Sequence, residues 1–241
     1  PVRVPTPYPL PTERFLDTVS ALAGRLPAAD RVTVGIPGVV RHGVVVRTPH
    51  YVTRSGPRSR IVPELVEQWH GFAAESAIAN TLGLPALVLN DAEVHGAGVV
   101  AGTGLELVLT FGTGLGCALF DGGWLAPHLE LSHAPVRWGL TYDAYIGEHE
   151  RRRLGNLFWS RRVRRVVEGL EPVFAWDRVY LGGGNSRNIS ADVVAALQQQ
   201  QSPLEPPLTP DADLGAPGGR VVVVPNTAGI AGGVRAWELL R

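Results

Sequence analysis

The chain contains no lysine and no methionine, and its one cysteine is Cys117. Its 22 basic residues are therefore all arginine, and 22 acidic residues bring the formal net charge to zero. A neutral chain offers no global field for nucleic acid or a membrane surface, so a polyanion would have to find a local patch. One cysteine excludes an internal disulfide framework and a cysteine-rich zinc loop. No apolar run approaches the ~20 residues that span a bilayer, and the residues after Pro1 lack the basic-then-apolar order of a secretion signal. A cytoplasmic location, with no nucleic-acid or membrane partner, is the expectation. Of the 241 residues 45% are hydrophobic, enough for a substantial core in one large or two small domains.

The most informative stretch runs from Leu105 to Phe120, two apolar runs joined by a glycine-rich turn. It reads as strand, hairpin, strand. Gly112, Gly114 and Gly116 can take left-handed backbone and let an anion approach, while Thr110 and Thr113 add hydroxyl donors. An ordinary hairpin, whose glycines serve only the turn, is the alternative. Three other short apolar runs end in polar or glycine residues: Leu87 to Asp91, Leu129 to His133, and Val179 through Gly182-Gly183-Gly184 to Arg187. In open α/β sheets ligands gather at the carboxyl ends of strands, so these ends are candidates for one site.

Taken in order, Asn90-Asp91, the Thr110-x-Gly112-Thr113-Gly114-x-Gly116 turn, Glu130-x-x-His133 and Gly182-Gly183-Gly184 resemble the ROK-family sugar kinases. The polyphosphate glucokinase branch is the most similar, with Pro37-Gly38-Val39-Val40 and Asn226-x-Ala228-Gly229 also fitting. The resemblance covers nearly the whole chain. It implies an α/β, actin-like (ribonuclease H-like) sugar kinase fold, two lobes with a cleft between them. Residues 1–103 would form the small lobe, completed by a helix in 226–241, and residues 104–225 the large one.

The implied reaction is phosphoryl transfer to glucose or a similar hexose from polyphosphate or ATP, with Mg²⁺, in a homodimer. Asp91 would be the general base, accepting the proton of the attacking sugar hydroxyl. Gly38, Asn90, Asp91, Glu130 and His133 would hold the sugar, because amide, carboxylate and imidazole together donate to and accept from a polyol. Thr110, Gly112, Thr113, Gly114, Gly116, Gly182, Gly183 and Gly184 would hold donor phosphates. Asp143 and Glu148 are both open as a further sugar-binding carboxylate. No residues suggest a metal ligand set. A non-catalytic sugar-binding regulator or pseudokinase is the alternative, although the helix-turn-helix segment of ROK repressors has no counterpart in the sequence.

The chain departs from the family pattern in three places. The cysteine-rich zinc loop after the position of His133 is absent, as in polyphosphate glucokinases. A family asparagine in the sugar-contacting loop has no counterpart near His50. The Asp-x-Gly-Gly-Thr/Ser hairpin that precedes this part of the family pattern is not in the sequence, so a segment ahead of Pro1 is expected.

Element by element, the proline-rich start to Pro11 reads as an edge strand. Thr12 to Leu26 reads as a helix, Arg31 to Ile36 as a strand, and His42-Gly43 as a hairpin turn. Tyr51 to Pro63 reads as a polar loop, Glu64 to Leu82 as one helix, Ala92 to Ala101 as another, and Gly102-Thr103-Gly104 as a linker. Asn156 to Phe174 is amphipathic, with Trp159, Val163, Val166, Val167 and Leu170 on one side and Arg161, Arg162, Arg164 and Arg165 on the other. With Arg151, Arg152 and Arg153 this is the densest positive cluster, either a solvated face or a polyphosphate track. The stretch from Gln198 to Pro217 reads as a variable loop, Arg220 to Val224 as the last strand, and Thr227 to Leu240 as the closing helix.

Overall fold

The prolines at 5, 7, 9 and 11 remove the N–H groups a ladder needs, and the computed structural model forms no strand over residues 2–11 where an edge strand was expected. Leu10 is buried there, and its carbonyl accepts the Trp69 indole N–H at 2.8 Å. The structure describes residues 2–199 and 220–239; beyond Gln199, the variable loop expected to Pro217 lies outside them.

The chain divides into two units, Pro1–Asp91 and Ala92–Arg241. In the first, α1 (Thr12–Ala23) buries Phe15 and ends at Gly24, short of the expected Leu26. Strand β1 (Val32–Ile36) leads into the hairpin of β2 (Val39–Arg41) and β3 (Val44–Arg47). His42 and Gly43 both take positive φ, 49° and 72°, the two-residue turn whose twist matches the strands it joins. The loop from Tyr51 closes on itself: Thr53 bridges Ile61, and Val62 N–H donates to the Val52 carbonyl. The single helix expected from Glu64 to Leu82 is two, α2 (Pro63–Trp69) and α3 (Ala74–Leu82). Gly71, at φ 75°, and Phe72 exchange backbone hydrogen bonds with Val45, so the chain leaves the helix to pair with β3. That excursion seats the Phe72 ring 5.5 Å from Trp69. Strand β4 (Ala86–Asn90) then pairs in parallel with β1, Ile36 beside Asn90.

Helix α4 (Asp91–Ala97) has its first residue in the first unit and the rest in the second, where β5 (Leu105–Phe111), β6 (Leu115–Asp121) and β7 (Trp124–Leu125) follow. Leu129–Leu131, expected as a strand, is a loop entering a 3-10 turn at Leu131–His133. A small hairpin of β8 (Pro135–Arg137) and β9 (Leu140–Thr141) precedes α5 (Tyr142–Ile146) and α6 (Glu148–Phe174). Helix α6 is interrupted at Gly155, which sits at φ 74°. Beyond it, β10 (Arg178–Gly182), α7 (Ala191–Gln198), β11 (Val221–Val223) and α8 (Ala228–Arg235) complete the unit.

Its sheet runs β11-β10-β5-β6-β7. β11, β10 and β5 are parallel, while β6 and β7 continue antiparallel. Alternation along β5 decides what covers each face. Leu107, Leu109 and Phe111 share a core with Trp159, Val163, Val166, Val167 and Leu170 of α6, the face the sequence period selected. Burying each such side chain contributes roughly 1.5–3 kcal/mol. On the other face, Gly96 of α4 admits Phe120 and Val108, and α8 crosses α4 where any Cβ on Gly98 or Gly232 would collide with the partner helix's backbone. By contacts the division falls after Asp91 and α8 counts with the second unit, where 103 and a helix completing the first lobe were expected. Gly102-Thr103-Gly104, expected as a linker, is pinned: the buried Glu106 carboxylate accepts the Ala101 and Gly102 N–H groups at 2.7 Å each.

Candidate active site

The parallel pairing of β1 and β4 brings the loop after Ile36 beside Asn90. The Asn90 amide donates to the Gly38 carbonyl at 2.7 Å. Gly38 is at φ 126°, and a Cβ there would strike the Arg47 carbonyl, so only glycine fits. The Thr48 hydroxyl fixes the same loop from behind, donating to the Pro37 carbonyl at 2.7 Å. Gly38 and Asn90 are thus one hydrogen-bonded cluster, with Asp91 next in sequence and exposed at the first position of α4. Burial first, and then the Asp91 charge, push the Tyr51 phenol's pKa up. Tyr51 was not anticipated from the sequence: it comes from a loop whose period carries no signal, and it packs 5.1 Å from Trp69.

In the second unit the two glycine turns meet. Asn185 N–H donates to the Phe111 carbonyl at 2.9 Å, and its amide donates to Gly112 O at 3.2 Å and to Glu148 Oε2 at 2.9 Å. Glu148 N–H in turn donates to the Gly112 and Thr113 carbonyls. Hydrogen bonds from Arg151 come first among the causes that hold the Glu148 carboxyl down at about 2, against the opposing effect of burial. Gly183 is left-handed, at φ 84°, and a side chain on it would run into the Phe111 backbone.

Gly112, Gly114 and Gly116, for which left-handed backbone was expected, do not adopt it; among the glycines of the two turns only Gly183 does. For Gly114 and Gly116 the need for glycine is steric. A Cβ on Gly114 would enter the Asp143 carboxylate, whose Oδ1 accepts the Leu115 N–H at 2.7 Å. One on Gly116 would meet the Thr110 hydroxyl and Ala92. Gly112 and Gly184 instead face open space, with nothing within 4 Å of where a Cβ would stand. Both turns therefore present bare backbone outward, side by side, and Thr113 is exposed.

Glu130 precedes the 3-10 turn that carries His133, so both belong to one short segment, with His133 exposed. The Ser132 hydroxyl donates to Glu130 Oε1, and His128 Nε2 lies 3.6 Å from Oε2. Burial would raise the Glu130 pKa, but His128 and Ser132 outweigh it and hold the carboxyl below its ordinary range. His128 and its second partner, Glu93 of α4 at 3.0 Å, were not singled out from the sequence, because their meeting depends on the packing of α4. Asp143 and Glu148 both lie beneath the Gly112–Gly114 turn and hold it in place. Among the described residues no group of three or more His, Cys, Asp or Glu side chains gathers as a metal would need.

The arginines of α6 are largely compensated. Arg151 and Arg152 pair with Glu148, Arg153 and Arg162 with Glu150, and Arg164 with Glu168. Among the described residues no helix is long and apolar enough to cross a membrane.

No family model matches the chain. It is 29% identical over 244 aligned positions to a polyphosphate glucokinase of Mycobacterium tuberculosis (strain CDC 1551 / Oshkosh), covering 98% of this chain and 80% of that protein. The crystal structure of an inorganic polyphosphate/ATP-glucomannokinase from Arthrobacter sp. strain KM superposes with a TM-score of 0.69 at 28% identity, covering 99% of this chain and 87% of that one. A ROK-family glucokinase from Streptomyces griseus, solved with glucose and AMPPNP, shares the fold at a TM-score of 0.64 and 16% identity, over 92% of this chain and 87% of that one. The fold is the actin-like, ribonuclease H-like α/β type shared with ROK-family sugar kinases, and by sequence the chain is similar to polyphosphate glucokinases.

Proposed function

We propose that the protein transfers a phosphoryl group from polyphosphate, ATP or both to glucose or a similar hexose. The observation that carries this reading is the tie between the two glycine turns through Asn185, which sets the open backbone of Gly112 beside that of Gly184. Bare backbone suits phosphate oxygens, and phosphoryl transfer asks for positioning and charge neutralisation more than for covalent chemistry. The M. tuberculosis and Arthrobacter relatives support the choice of sugar and donors.

Asp91 accepts the hydroxyl proton as the sugar oxygen attacks the terminal phosphorus and the bond to the leaving phosphate breaks. Asn90, fixed by Gly38, orients the sugar, and Glu130 and His133 grip further hydroxyls. When bound, Mg²⁺ neutralises charge on the donor phosphates. The protein acts in the cytoplasm, as a homodimer.

The test is direct: purified protein, glucose, and either ATP or polyphosphate, with phosphorylated sugar as the readout. Turnover with either donor is expected. Glucose binding without turnover on both donors would replace this reading with that of a sugar-binding regulator.

A further inference from the structure

Glu93 lies on α4 with its side chain only 4% exposed. A carboxylate so deeply desolvated needs a compensating partner. His128 supplies it, its Nδ1 3.0 Å from Glu93 Oε1. An ordinary buried pair would end there. Here the second ring nitrogen has a destination too: Nε2 is buried, makes no hydrogen bond, and faces Glu130 Oε2 at 3.6 Å, beyond hydrogen-bond length but within ion-pair reach. The other Glu130 oxygen accepts the Ser132 hydroxyl. Glu130 is therefore bracketed by a hydroxyl and an imidazole, and the imidazole is itself fixed by a carboxylate inside the fold.

We propose that His128, anchored by Glu93, is a positioning residue that keeps the Glu130 carboxylate aimed at the hydroxyls of a bound hexose. The inference rests on the reading of Glu130 as a sugar ligand. A histidine suits the task because its cation carries two N–H donors on opposite sides of a rigid ring, one for each carboxylate.

The groups facing this centre are Glu93 from α4, Glu130 and His133 from the 3-10 segment, and the Cys117 thiol from β6. Burial, then Glu130 and Glu93, push that thiol up to about 12, so it stays neutral. Burial alone would lower the His128 pKa, but the two carboxylates outweigh it and raise it to about 9. Below that pH the ring bridges both carboxylates. Above it, Nε2 turns a lone pair towards Glu130 and the support is lost.

The experiment measures glucose affinity by calorimetry, and KM and kcat separately, across pH 7–10 for the wild type, His128→Gln, Glu93→Gln and Glu130→Gln. Glutamine cannot serve both carboxylates, so His128→Gln should weaken glucose binding and raise KM about tenfold, with a smaller change in kcat. Wild-type affinity should fall as pH passes about 9. That inflection should move to lower pH in Glu93→Gln and vanish in His128→Gln. Wild-type affinity in His128→Gln, or an unchanged inflection, overturns the inference. Wild-type glucose binding by Glu130→Gln instead removes Glu130 from the sugar site, and with it the reading beneath. Should His128→Gln not fold, the His128 ring is titrated by NMR in the wild type and in Glu130→Gln: a lowered pKa in the variant supports the coupling, and an unchanged one rejects it.

Discussion

In the first unit the parallel pair β1–β4 ends in side chains, the Asn90 amide and the Asp91 carboxylate, steadied by the Gly38 loop. In the second unit the corresponding places after β5 and β10 end in backbone, the turns at Gly112–Gly114 and Gly182–Gly184. Both follow the rule that parallel strands present functional residues at their carboxyl ends. The chemistry offered is different. In the proposed reaction a proton is moved by one titratable group, so the first unit's contribution would be concentrated in a few atoms. Phosphate oxygens would be met by many weak dipoles, so the second unit's contribution would be spread over main chain, with Gly114, Gly116 and Gly183 kept small by sterics.

That contrast ranks the substitutions. The largest effect is expected for Asp91→Asn, which should lower turnover by about two orders of magnitude or more while glucose affinity stays near wild type, the scale of a lost general base. Steady-state kinetics beside calorimetry checks it, and full activity would take Asp91 out of the mechanism.

Next come the hairpin glycines, which should separate stability from activity. Gly114→Ala drives a methyl into Asp143 and loosens its bond to Leu115 N–H, at a cost of about 1–3 kcal/mol visible as a lower Tm. Gly112→Ala meets open space without left-handed backbone, so its Tm should hold while turnover drops, the methyl standing where a donor phosphate approaches. A Gly112→Ala enzyme with full turnover would mean the turn is only a turn. For Glu130→Ala and His133→Ala, glucose affinity should weaken by about 1–3 kcal/mol each, since unpaired polar groups remain. Unchanged binding in both places the sugar elsewhere.

Two smaller effects test how the second unit is held together. Glu148 is depressed to about 2 from an ordinary 4.5, so its stabilising contribution is present above pH 4.5 and is lost as pH falls towards 2. Acid unfolding of Glu148→Gln should be correspondingly less steep across that window. The smallest effect is expected on the arginine face. Arg164 pairs with Glu168 at 2.6 Å and Arg161 lies over the Phe158 ring at 5.2 Å. Replacing either with alanine should change turnover on polyphosphate less than about twofold, as exposed pairs contribute little. A steep loss, strongest at low salt, would make that face a donor track.

Much of this was legible beforehand. The 3.6-residue period of Trp159, Val163, Val166 and Leu170 marked the α6 face that is buried, and β4, β5 and β10 stand where apolar runs end in polar or glycine residues. The helix break at Gly71 was not legible, because it serves pairing with Val45 rather than any local preference. Nor was the reason for the hairpin glycines, since what they avoid comes from Asp143 and Ala92 rather than from the turn.

The sequence by itself determined the apolar runs that become β4, β5 and β10, with the polar or glycine ends that carry much of the candidate site, and the amphipathic face of α6, because helix and strand periods and turn chemistry are local. The tertiary structure alone decided which side chains meet. Leu115 reaches Asp143 across 28 residues, Glu93 reaches His128 across 35, and Asn185 reaches Gly112 across 73. No local pattern encodes such contacts, since each exists only once sheet register and helix packing have fixed both partners.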